Sequence, residues 1–196
     1  VGSEMCIRDS KEGIAHTLDE TRNLSDSGQF EDISLQQGIR QILYPYEEME
    51  VLNPEWEVIL KDIIDSLFEQ MSDEEYNILN EEFGTYMVSR AYEYRQLLEY
   101  LVFRYFAKSI YDYDFLGKCQ MLVTNFFVIR QMDIIRWLDN HREYSFKDRM
   151  DVVHIFSRQV EYSEDNIENL YEDFIFDDIF KTDSLIAILW IDSENI

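Results

Sequence analysis

Apolar residues recur along this chain at helical spacing, and alternation with a period of two is nowhere sustained. The first stripe is Ile33, Leu35, Ile39, Ile42 and Leu43, and it is predicted to stop before Pro45, whose ring cannot continue a helix interior. Asn53-Pro54 marks the next start: the Asn side chain can cap, and Pro takes the first helical position, where its missing N–H costs nothing. Trp56, Leu60, Ile63, Ile64, Leu67 and Met71 follow on one face. Ser72-Asp73-Glu74-Glu75 has the form of a capping box, opening a short helix through Tyr76, Leu79 and Phe83 that Gly84 is predicted to close. A longer helix from about Tyr86 to Ile110 points Ala91, Tyr94, Leu98, Leu101, Val102, Tyr105 and Phe106 inward. From about Asp114 to Asp139 the chain is apolar on most sides, which predicts a central helix. Ser145 starts another, with Met150, Val153, Phe156 and Val160 as its buried edge; Ile167, Leu170, Tyr171 and Phe174 form an amphipathic helix. Thr182-Asp183-Ser184 opens the last, closed by Leu185, Ile186, Leu189 and Trp190.

Such a pattern predicts an all-α fold, an irregular bundle of roughly six to eight mostly antiparallel helices with short connections. No repeat period is evident, so a solenoid is not expected. Residues 1–10, Val1-Gly2-Ser3-Glu4-Met5-Cys6-Ile7-Arg8-Asp9-Ser10, resemble translated sequencing-adapter sequence, and the first residue is not Met. They are read as an artefact, 11–31 as a poorly ordered lead-in, and 32–196 as a single helical domain forming the C-terminal part of a longer protein.

Charge narrows the partners. Seventeen Lys and Arg against 41 Asp and Glu give a net charge of −24, which excludes nucleic acid as a direct partner because phosphates demand the opposite sign. An acidic surface repels anionic membranes and can steer lysine-bearing partners toward it. No apolar run is long enough to span a bilayer. With only Cys6 and Cys119, a disulfide framework and a cysteine-only metal site are excluded, and a cytoplasmic location is expected.

Chemistry is sparse. His16, His141 and His154 stand in no Glu-x-x-His or His-Glu-x-x-His pair, so no metal site is expected, and His154 reads as an ordinary helix histidine. Cys119 reads as an inert core thiol. A glycine-rich phosphate loop and its strand-turn-helix setting are absent, which excludes a nucleotide or S-adenosylmethionine site of the Rossmann kind. Two polar clusters remain. Glu99 and Arg104 lie in the tyrosine-rich run from Tyr92 to Tyr105, where Arg95 and Glu99 are an i,i+4 pair. The second cluster is Ser157-Arg158-Gln159-Val160-Glu161-Tyr162-Ser163-Glu164-Asp165-Asn166, read as a helix end, a corner and a new helix capped by Ser163, with Glu164 and Asp165 in its first turn. Arg158 and Glu161 are i,i+3 partners there, and Asn166 can bond backbone across the corner. Each cluster is either a structural brace or part of a site.

The sequence also resembles the C-terminal helical part of the flagellin lysine-N-methylases, between about Gln37 and Leu189. The likeness is carried by Ile42-Leu43 with Asn53-Pro54-Glu55-Trp56, by Glu99-Tyr100-Leu101-Val102-Phe103-Arg104-Tyr105-Phe106, by Ile129-Arg130 with Ile134-Ile135-Arg136-Trp137, and most specifically by the block from Ser157 to Asn166. Tyr100 stands where the family pattern has Asn, and Tyr162 where it commonly has His. The resemblance implies a bacterial, S-adenosylmethionine-dependent methyltransferase acting on flagellin lysines, with an iron–sulfur cluster in a cysteine-rich N-terminal region and no cofactor within this chain. On that basis the candidate catalytic residues are Glu99, Arg104, Tyr105, Arg158, Glu161 and Asn166, and the fragment is expected to be inactive alone. The alternative is a non-catalytic acidic helical protein-interaction domain.

Overall fold

The computed structural model describes residues 33–194, with side chains described as far as Leu189. Among these residues every regular element is helical: α1 (Leu35–Glu47), α2 (Pro54–Ile63), α3 (Asp73–Met87), α4 (Ala91–Phe106), the single turn α5 (Ser109–Asp112), α6 (Phe115–Asp139), α7 (Phe146–Phe156), α8 (Glu164–Phe176) and α9 (Thr182–Glu194). The architecture is an all-α bundle, as expected. The readings of residues 1–10 and 11–31, and of Trp190, fall outside what is described. No helix among the described residues is long and apolar enough to cross a membrane.

The local start signals operate as their side chains predict. The Glu55 amide donates to Asn53 Oδ1 at 3.2 Å. The Glu75 amide donates to Ser72 Oγ at 3.3 Å while the Ser72 amide donates to Glu75 Oε2 at 2.9 Å, completing the box. Ser145 and Asp148 repeat that arrangement at the head of α7.

Long-range packing overrides three expected boundaries. Pro45 does not stop α1, which runs on to Glu47; Pro45 and Tyr46 are both buried in its last turn, and that burial outweighs the one hydrogen bond the ring removes. Gly84 is not a C-cap, because Phe83 and Met87, one helical turn apart, are both buried and carry α3 past it into a 3₁₀ turn at Val88–Arg90. The next helix closes at Phe106 rather than Ile110, and the following turn ends on Tyr113 in the left-handed region at φ 57°.

α6 is the axis of the bundle, packing against α1, α2, α4, α7, α8 and α9. It is less apolar inside than its sequence suggests: Lys118, Gln120, Thr124, Asn125, Arg130, Gln131 and Asp133 are all buried with Met121, Phe127, Val128 and Ile134. Hence the core is held by polar pairs as well as by close packing. Met150 is exposed and Arg149 takes the buried position on α7, while Val102 on α4 faces solvent and Glu93 faces in. Both shifts have one cause, the buried charges described next. Cys119 is half-buried rather than core, and burial pushes its thiol up, which keeps it inert.

Candidate functional site

Glu161 ends a wider, π-helical turn, Ser157–Glu161, that continues α7. The extra residue in such a turn brings Gln159, Val160 and Glu161, three in succession, to the buried side. Glu161 is only 7% exposed, and its carboxylate has partners on both oxygens. Tyr100 Oη and Ser157 Oγ each donate to Glu161 Oε2 at 2.7 Å, Tyr105 Oη donates to Oε1 at 3.2 Å, and Arg104 Nε lies 3.8 Å from Oε1. Arg104 also donates to the Glu161 carbonyl at 3.3 Å. The chain of bonds continues inward: Asn125 Nδ2 donates to Tyr105 Oη at 3.1 Å, and Tyr46 Oη donates to Asn125 Oδ1 at 2.7 Å.

Burial, then the Glu161 hydrogen bond and charge, push the Tyr100 phenol up to about 12, and they drive Tyr105 higher still. Both therefore remain proton donors at neutral pH. Tyr100 is 43% exposed, so the deeply set carboxylate meets solvent through Tyr100 and the half-buried Arg104.

Of the six sequence candidates, the structure brings together Arg104, Tyr105 and Glu161. Arg158 is exposed, and Glu161 pairs with Arg104 across the helices instead of with Arg158 along its own. Glu99 lies on the outer face of α4, where it pairs with Arg95 at 2.9 Å with both side chains more than half exposed. Asn166 is fully buried but serves the backbone: its Oδ1 accepts from the Glu50 amide at 3.1 Å, and its Nδ2 donates to the Glu50 and Gln159 carbonyls, each at 3.1 Å. Gln159 completes that brace by accepting from the Leu52 and Asn53 amides and donating to the Glu50 carbonyl. The corner itself is as expected, with the Asn166 amide donating to Ser163 Oγ at 3.1 Å.

Tyr100, Ser157 and Asn125 were not among the candidates. Ser157 and Tyr100 carried a usable signal, since each stands four residues from a residue of the network, Glu161 and Arg104 respectively. Asn125 carried none, because its partner Tyr105 comes from another helix.

A second buried network was not foreseen. Asp133, with no exposed surface, accepts from Tyr94 Oη at 2.8 Å, from Tyr144 Oη and from Arg149 Nη1. Arg149 also lies 3.5 Å from Glu93, which Arg90 holds at 2.7 Å, and its guanidinium stacks 4.3 Å from the Tyr94 ring centre. Burial pushes the Asp133 carboxyl up against the pull of Arg149 and the two phenols. For Arg149, burial pulls downward but the Asp133 charge prevails and holds the guanidinium firmly protonated. Among the described residues, no group of His, Cys, Asp or Glu is placed to hold a metal ion.

Fold and site define an all-α domain whose polar core runs from α1 through α6 to one buried, collared carboxylate. The chain belongs to the FliB lysine N-methylase C-terminal domain family, which it matches over residues 4–188. That match begins well before the Gln37 at which the residue-level resemblance starts. No curated protein and no solved structure matches the chain.

Proposed function

We propose that this chain is the helical C-terminal part of an S-adenosylmethionine-dependent methyltransferase acting on flagellin lysines in the cytoplasm, and that Glu161 with Tyr100, Tyr105 and Arg104 positions the incoming amine. One observation carries the reading: Glu161 is buried to 7% exposure and its carboxylate is collared by hydroxyls, with one collar member open to solvent. A lysine ammonium arriving past Tyr100 meets a carboxyl group in a poorly hydrated setting, where polar attraction is stronger than in water. The amine must shed a proton before it can attack a methyl group, and a carboxylate with a neighbouring phenol can both orient it and accept that proton. Arg104 and Tyr105 hold the carboxylate in place; Asn166 and Gln159 hold the turn that carries it.

S-adenosylmethionine would supply the methyl group. Its adenine, ribose diol and amino-acid end need a cradle of free donors and acceptors, and the residues around Glu161 do not fit that need. Every hydroxyl there is already spent on the carboxylate. We assign the cofactor's cradle to residues other than the collar around Glu161.

The test is methylation itself. A full-length enzyme carrying this domain, incubated with S-adenosylmethionine and flagellin, should add methyl mass to flagellin lysines by mass spectrometry. Absence of any mass gain with demonstrably folded enzyme overturns the assignment. The present chain alone, given the same cofactor and substrate, should give none.

A further inference from the structure

Away from Glu161, a trough of about 400 Å³ lies over one face of α6, walled by α2 and α7. Val58, Ile59 and Ile135 give it an apolar lining, and Val58 is 60% exposed. Its rim is acidic, with Glu55 and Asp62 on α2 and Asp139 on α6, opposed only by Arg136 among the lining residues. None of these three carboxylates is in an ion pair among the described residues, although ion pairs occupy acidic residues on several other helices. Glu55 and Asp62 are two helical turns apart, which separates them by about 10 Å along the axis.

We propose that this trough docks a lysine-bearing amphipathic segment of a partner protein, with apolar side chains on Val58, Ile59 and Ile135 and ammonium groups on the Glu55, Asp62 and Asp139 rim. Charge decides the occupant. A second copy of a chain carrying −24, or an anionic surface, would bring like charge onto a rim with three acids to one Arg. A segment with apolar residues between cations satisfies both features at once. The rim spacing suits lysines about seven residues apart in a helix or about three apart in an extended strand. That the partner is the methylated substrate rests on the proposed function; the preference for lysine does not, since binding alone reads it.

Fluorescence anisotropy with the full 196-residue chain tests this. The probe is a labelled helical peptide with a leucine stripe flanked by lysines seven residues apart, and its control carries glutamates in their place. The lysine peptide should bind saturably and the glutamate peptide should not. Glu55→Lys with Asp62→Lys should weaken binding about tenfold, and Val58→Asp comparably. Glu168→Lys with Glu172→Lys on α8, the same change in net charge, should stay within about twofold of the parent. All positions are exposed, and circular dichroism melts confirm the fold of each variant. Equal weakening by the remote pair reduces the binding to bulk charge and overturns the proposal. So does an unaffected Val58→Asp variant, or a dimer of the chain that Val58→Asp dissolves. Failed flagellin methylation alongside intact peptide binding would sink the enzyme assignment and leave the trough standing.

Discussion

Replacing Arg149 with Met removes the cation that two carboxylates share in the core. Asp133 would keep its phenol donors but lose the guanidinium, and Glu93 would keep only Arg90. Both acids sit below 5% exposure, so water cannot take over the missing charge. Removing one partner of a buried ion pair costs about 3–5 kcal/mol, because the other charge is left uncompensated. For a chain of this size each kcal/mol lowers the melting temperature by about 2–4 °C, so the drop should be roughly 6–20 °C. Asp133→Asn should cost less, about 1–3 kcal/mol, since the amide oxygen still accepts from the tyrosines and Arg149 still has Glu93. The double variant should cost less than the sum of the singles by about 1–3 kcal/mol, because a neutral amide at position 133 no longer needs a cation. Urea denaturation followed by circular dichroism at neutral pH measures all four corners of the cycle. Strictly additive losses, or an Arg149→Met variant within about 1 kcal/mol of the parent, would show that the charges do not depend on each other.

Burial raises the Asp133 carboxyl above its ordinary 3.8, so the folded state holds that proton more readily than the unfolded chain. Its contribution to stability should therefore fall as pH rises from the ordinary value through the raised folded one, and a denaturation series across acid pH should lose that slope in Asp133→Asn. Asn166→Ala strips three bonds from the 50–53 and 157–161 segments, and should cost about 1–3 kcal/mol by urea denaturation, with Gln159→Ala similar. Ser163→Ala should cost about 1 kcal/mol through its lost N-cap. Glu99→Ala breaks only an exposed pair and should change stability by no more than about 0.5 kcal/mol; in a full-length enzyme it should also leave flagellin methylation unchanged, and a marked loss of methylation would bring Glu99 back into the site.

What the sequence disclosed was local. Asn53, Ser72, Ser145 and Ser163 cap as read because donor and acceptor lie within a few residues of one another. Boundaries failed where distant packing outweighed a local breaker, as at Pro45 and Gly84. Burial failed where a charge occupies an apolar stripe. Glu93, Leu97, Leu101 and Tyr105 recur every four residues on the buried side of α4; the predicted stripe holds Leu101 and Tyr105 but not Glu93 or Leu97. Arg149 heads the buried stripe of Val152 and Phe156, and what explains it, Asp133 and Glu93, comes from two other helices.

The site was half legible. Family resemblance selected Arg104, Tyr105 and Glu161 together, and the fold joins them. Their mutual contact could not be read from spacing, because α4 and the π-helical turn meet only in the folded bundle. Tyr100, outside the candidate set, makes one of the shortest bonds to Glu161.

Glu161→Gln in a full-length enzyme carrying this domain is the most direct test of the account. Gln preserves shape and most of the collar, whereas Ala would leave three hydroxyls without their acceptor, so Gln separates chemistry from folding. Flagellin methylation, read as kcat/KM by mass spectrometry, should fall by about 10²–10⁴ while the melting temperature stays close to that of the parent. Methylation at the parental rate in folded Glu161→Gln enzyme would contradict the central claim and leave the collar as a structural brace.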